Sequence, residues 1–135
     1  MFLKNLKLTN FRNYAQLDLD FDQKPTILVG NNAAGKSNLL EAVYLLSTGK
    51  SQRVGEEAEL IKKIEEFGKV EGEVSEEIGI TQQTSISDNQ KNRNSGNQSH
   101  SESFLNSLEV IMQLQDGQFS KRVKVNGIPR RVVDF

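Results

Sequence analysis

Gly30-Asn31-Asn32-Ala33-Ala34-Gly35-Lys36-Ser37 places two glycines, a lysine and a serine at the spacing G-x-x-x-x-G-K-[ST]. Small residues let the backbone curl so that its N–H groups turn inward, and a helix starting at the lysine adds a dipole that favours anionic phosphate. Lys36 is positioned to reach the β- and γ-phosphates of a nucleoside triphosphate as a point charge, and the Ser37 hydroxyl to take one coordination position on Mg²⁺. With ordinary residue usage the pattern should arise by accident in under ~1% of chains this long, so an ordinary glycine turn is the weaker explanation.

The flanks supply the context that the motif needs. Thr26-Ile27-Leu28-Val29 before it is a short apolar, β-branched run, read as a strand buried on both faces. After it, Leu39, Leu40, Val43, Tyr44 and Leu46 follow helical spacing from Ser37 to about Ser47, with Gly49 as the terminator. Upstream, Leu17, Leu19 and Phe21 alternate with polar residues as in a half-buried strand. Phe2, Leu6 and Leu8 suggest its partner, and the turn between them falls at Asn10 to Tyr14.

Downstream, Glu56 to Phe67 reads as a second helix carrying Leu60, Ile61, Ile64 and Phe67 on one side and ending at Gly68. Val70, Gly72 and Val74 alternate as in a strand. Leu108, Val110, Met112 and Leu114 run into Asp116-Gly117, and Val123 and Val125 into Asn126-Gly127, two tight-turn pairs that define a β-meander. Between them, residues 81–103 are Gln, Ser, Asn and Thr with almost no large apolar side chain. This stretch cannot recoup its ordering entropy and is expected to be a disordered insertion.

Composition narrows the function. Seventeen Lys and Arg against 18 Asp and Glu leave no overall charge for a polyanion, so any nucleic-acid contact must come from a local patch. No cysteine is present and the one histidine, His100, lies in the polar run, which removes disulfides, thiolate metal sites and a Ser-His-Asp triad. No secretion-type apolar segment opens the chain and none is long enough to cross a bilayer, so a cytoplasmic protein is expected.

Hydrolysis also requires a carboxylate at the end of another buried strand, and none is found. Val132-Val133-Asp134 is the nearest approach, a poor buried strand. Ser95-Gly96-Asn97-Gln98 echoes the S-G-G-Q signature of ABC-type ATPases but lies in the polar run with no helix after it, and is set aside. Lys121, Arg122, Lys124, Arg130 and Arg131 concentrate positive charge. Phosphate-backbone contact is one reading; a solvated strand face is favoured, because no aromatic residues interleave. Arg53 reads either as a group turned back toward nucleotide or DNA, or as a loop charge.

The opening Phe2-Leu3-Lys4, Asn10-Phe11-Arg12-Asn13-Tyr14, the run Leu28 to Leu46 containing the motif, and Arg122-Val123-Lys124-Val125-Asn126-Gly127 followed by Pro129-Arg130-Arg131 closely resemble bacterial RecF proteins. The opening and motif also suit other SMC-like ATPases, whereas the Val-Lys-Val-Asn-Gly segment is more particular to RecF. The resemblance implies an α/β P-loop NTPase, a partial ABC-type head whose first lobe holds a mixed sheet and the β-meander, with residues 1–135 as the N-terminal part.

It further implies ATP and Mg²⁺ as cofactors, bound by Gly30, Asn31, Asn32, Ala33, Ala34, Gly35, Lys36 and Ser37, with Ser37 on the metal and Arg12 and Asn13 near the nucleotide. Single-stranded or gapped DNA, RecO, RecR and an ATP-dependent second copy are the implied partners, in replication repair and the SOS response. Family members are several times longer and carry the signature and acidic strand elsewhere, so weak nucleotide binding without hydrolysis is expected of this chain by itself. Two other readings stay open, a catalytically silent remnant or interaction module and a small P-loop phosphotransferase; the β-meander stands where the latter needs an acceptor pocket and a lid.

Overall fold

A computed structural model describes residues 1–53, 55–78 and 102–131. Among the described residues six strands form one antiparallel sheet: β1 (Phe2–Phe11), β2 (Tyr14–Asp20), β3 (Phe67–Ile78), β4 (Glu102–Gln115), β5 (Gln118–Val125) and β6 (Ile128–Arg130), in the order β2-β1-β3-β4-β5-β6. One helix, α1 (Lys36–Thr48), packs on one face. Among the described residues no helix is long and apolar enough to cross a membrane.

Register explains which side chains form the floor under the helix. Leu6 lies opposite Gly72 and Leu8 opposite Val70; Val70 lies opposite Val110 and Gly68 opposite Met112; Val110 lies opposite Val123. Because strand side chains alternate between faces, these residues share one side of the sheet. There they are buried together with Leu39, Ala42, Leu45 and Leu46 of α1. Gly72 permits this close approach: a Cβ there would lie 2.8 Å from Leu46 Cδ1, so the leucine side chain would have to shift.

The opposite face is polar. Lys69 bonds Glu71 at 2.7 Å and lies 3.7 Å from Glu109, which also faces Lys124 at 3.9 Å. The expected N-terminal hairpin and the meander are both present. Asp116 and Gly117 have φ of 51° and 74°, Asn126 and Gly127 of 52° and 76°, the left-handed pairs that two-residue hairpin turns demand.

Three expectations are overturned. Glu56 to Phe67 is not a helix: a 3₁₀ turn covers Glu57–Leu60 and β3 already begins at Phe67. Its backbone is claimed by the β1–β2 turn instead, since Arg12 N–H donates to Leu60 O and Lys62 N–H to Asn10 O, both at 2.8 Å, and Phe11 bridges to Ile61. Leu60 and Ile61 are buried, but Ile64 is fully exposed at φ 78° in a turn closed by Glu65 N–H on Lys62 O. Gly68, expected as a helix terminator, is a residue of β3.

Thr26-Ile27-Leu28-Val29 is not a strand of the sheet. None of the described strands lies beside it, so no ladder forms, and Ile27 and Val29 are 83% and 89% exposed. Within α1 the buried stripe is rotated from the expected one: Leu40 and Tyr44 face outward, while Ala42 and Leu45 face the sheet. The expected insertion at 81–103 lies outside the described residues except for its end, where Ser103 pairs with Glu77 in the sheet. Ser95 to Gln98 and Val132 to Asp134 also lie outside them.

Candidate nucleotide site

The loop from Gly30 to Ser37 closes on itself ahead of α1. Ala34 N–H donates to Asn31 O at 3.2 Å, and a side chain at Gly30 would meet Ala34 Cβ at 3.7 Å and Lys36 Cδ at 3.9 Å. Two residues turn the chain through left-handed backbone, Ala33 at φ 64° and Gly35 at φ 99°. Gly35 is the N-cap of α1 and has no side chain to offer the first amides. The first turn contains no acidic residue. The donors at this helix start are therefore available to an external anion, which the helix dipole favours.

Lys36 reaches back across the loop, donating from Nζ to Gly30 O and, at 2.6 Å, to Asn31 O. Its ammonium is thus held at the mouth of the loop by carbonyls rather than neutralised by a carboxylate. Ser37 is exposed on the first helical turn beside it. The residue types fit a triphosphate with its divalent ion: uncapped amides of the helix start and one ammonium for phosphate oxygens, one hydroxyl for Mg²⁺. Ala33, Ala34, Asn31 and Asn32 are exposed along the same loop.

Arg12 and Asn13 are brought to this helix by the β1–β2 turn, where Asn10 and Arg12 both have positive φ, 46° and 52°. Asn13 Oδ1 accepts from Asn38 Nδ2 at 2.8 Å. Arg12 forks onto Glu41, Nε to Oε2 at 3.0 Å and Nη2 to Oε1 at 2.8 Å, and its Nη1 donates to Glu59 O at 3.1 Å. Glu41 also accepts from Ser51 Oγ at 2.9 Å and lies 3.7 Å from Arg53. Arg53, open in the sequence between a ligand-facing group and a loop charge, thus meets a carboxylate.

Sequence reasoning missed Glu41, whose side chain is 2% exposed. The available signal was its place on the helical stripe with Ala42, Leu45 and Leu46, where a carboxylate requires a partner. Burial pushes this carboxyl up, but the hydrogen bonds from Arg12 and Ser51 and the charges of Arg12 and Arg53 outweigh it and hold it below its ordinary value. Tyr14 was missed too: its hydroxyl donates to Gly35 O at 3.1 Å.

A cavity of about 770 Å³ lies at the β1–β2 turn, lined by Arg12, Asn13, Asn38 and the 61–65 turn and by no residue of the loop Gly30 to Ser37. In the basic group of the meander Lys121 pairs with Glu57 and Lys124 with Glu109, while Arg122 and Arg130 are exposed.

A family model described as AAA ATPase domain matches residues 1–131. The DNA replication and repair protein RecF of Bacillus velezensis is 44% identical over 79 residues, 58% of this chain and 21% of the relative. That of Bacillus subtilis strain 168 is 43% identical over the same length and shares. This chain thus covers about a fifth of the length of these relatives.

The structure of the recombination mediator protein RecF with ATP in the RecFOR pathway superimposes with a TM-score of 0.68 and 30% identity, over 96% of this chain and 28% of that one. A structure from work on ATP-driven dimerisation and DNA-stimulated activation of SMC ATPases shares the fold, with a TM-score of 0.68 at 16% identity, over 99% of this chain and 75% of that one. A family match across almost the full chain, over a phosphate-type loop built as above, means that the chain belongs to the AAA ATPase domain family.

Proposed function

We propose that this chain binds ATP with Mg²⁺ in the loop Gly30 to Ser37 and serves as the ATP-binding portion of a DNA replication and repair protein of the RecF type. The observation that carries the reading is the start of α1: a left-handed glycine cap without a side chain, no first-turn carboxylate, and Lys36 held at the loop mouth. Lys36 and the loop amides hold the phosphates, Ser37 holds the metal, and Asn13 borders the same opening. Similarity to RecF over 79 residues supports the repair role, with DNA, RecO, RecR and an ATP-dependent second copy as the partners of the complete assembly.

Titration of the purified chain with Mg·ATP, followed calorimetrically, tests this. Lys36→Ala removes a charge-assisted contact that contributes roughly 1.5–3 kcal/mol, so affinity falls about ten- to a hundredfold while the far-ultraviolet circular dichroism is unchanged. A folded wild-type chain that takes up no ATP at millimolar concentration refutes the proposal and favours a silent remnant.

A further inference from the structure

Three consecutive residues, Arg12 and Asn13 of the β1–β2 turn and Tyr14 at the start of β2, reach the start of α1 by three separate routes. Arg12 bonds Glu41, Asn13 accepts from Asn38, and the Tyr14 hydroxyl donates to the Gly35 carbonyl. The last two close over Gly35 itself: a side chain there would meet Tyr14 Oη at 2.6 Å, Asn13 Nδ2 at 2.8 Å and Tyr14 Cζ at 2.9 Å. Gly35 is buried under them at φ 99°.

We propose that Tyr14 is a positioning residue for the phosphate-binding loop, acting through the Gly35 peptide. This deepens the nucleotide reading above and rests on it. The Gly35 carbonyl and the Lys36 N–H belong to one planar peptide unit and point in opposite directions, so fixing the oxygen fixes the direction of the amide. That oxygen receives two donors, Tyr14 Oη at 3.1 Å from the strand side and Leu39 N–H at 2.9 Å from within the helix. Both of its lone-pair directions are used.

The Leu39 bond comes with helix formation and would be made by any helix starting here. The tyrosine bond ties the same peptide to the sheet. The Lys36 amide is thereby aimed into the loop before any anion arrives, and an anion need not spend affinity on ordering it. Asn13 and Asn38 brace the neighbouring turn from the same side. The beneficiary is the phosphate chain rather than the nucleoside, so the effect extends to inorganic triphosphate.

Tyr14→Phe in the purified chain tests this. Without nucleotide, the Gly35 carbonyl carbon and Lys36 amide resonances shift and broaden, while those of Val70 and Val110 stay in place. The dissociation constants for Mg·ATP and for inorganic triphosphate both rise about three- to tenfold, the range expected for one hydrogen bond, with the melting midpoint nearly unchanged.

Asn13→Ala, which removes the second brace, weakens both ligands in the same sense and serves if Tyr14→Phe does not fold. Unaltered Gly35 and Lys36 resonances, or affinities within twofold of wild type, overturn the positioning role. A wild-type chain that binds neither ligand overturns the nucleotide reading instead; only the unmutated arm reports that result, and the resonances still decide whether Tyr14 orients the peptide.

Discussion

Replacing Arg12 by alanine removes the fork on Glu41, bonds of 2.8 and 3.0 Å to a carboxylate whose side chain is 2% exposed. Removing one member of a buried ion pair costs roughly 3–5 kcal/mol, because the remaining charge is left without its partner in a poorly solvated place. Ser51 at 2.9 Å and Arg53 at 3.7 Å stay beside Glu41, and Arg12 itself is 15% exposed. The low end therefore applies, about 3 kcal/mol. Against a total stability of roughly 5–15 kcal/mol this is a large fraction, read in urea as a lower midpoint with an unchanged slope.

The loss also depends on pH in a defined direction. In the wild type the Glu41 carboxyl is held below its ordinary 4.5, so its stabilisation is complete above that value and is lost as pH falls through the folded pKa. In Arg12→Ala the strongest lowering influence is gone and burial dominates, so protonation relieves the carboxylate. The gap between the two proteins therefore narrows as pH falls below 4.5 through the folded pKa of the wild type. A gap below about 1 kcal/mol at neutral pH, or one that stays constant as the Glu41 carboxyl titrates below pH 4.5, refutes the reasoning.

Gly72→Ala brings a Cβ within 2.8 Å of Leu46 Cδ1 and 3.2 Å of Leu3 Cδ1, and destabilises by about 1–3 kcal/mol as overpacking does; a urea midpoint equal to wild type would count against the packing described. The hydrogen bond that Lys69 donates to Glu71 holds its ammonium above its ordinary 10.5 against the opposing effect of burial. That stabilisation is complete below 10.5 and disappears as pH rises through the folded value, so Glu71→Gln flattens the decline in melting temperature on the alkaline side; parallel declines in the two proteins would exclude it.

The parts legible in the sequence were those fixed by local chemistry. Asp116-Gly117 and Asn126-Gly127 announce their turns because few residues tolerate positive φ, and the loop before α1 announces itself through residue types that permit a tight curl. What was missed depends on partners distant in sequence. Leu60 and Ile61 suit a helix or an irregular segment equally, and Asn10 and Arg12 decide by taking the backbone bonds. Thr26 to Val29 has the composition of a buried strand, but a ladder needs a neighbour that the described residues do not supply. Glu41 depends on Arg12, 29 residues away, for the partner that lets a carboxylate be buried, and no local pattern names that partner.

The floor beneath α1 draws on β1 from the beginning of the chain and on β3, β4 and β5 from well downstream. Hairpins such as β1–β2 and β4–β5 close between sequence neighbours, whereas β1 must find β3 across the helix that will later rest on both. Long-range closures of this kind are slow relative to hairpins. During synthesis the helix therefore leaves the ribosome before most of its bed exists, and its apolar face stays uncovered until the downstream strands have joined.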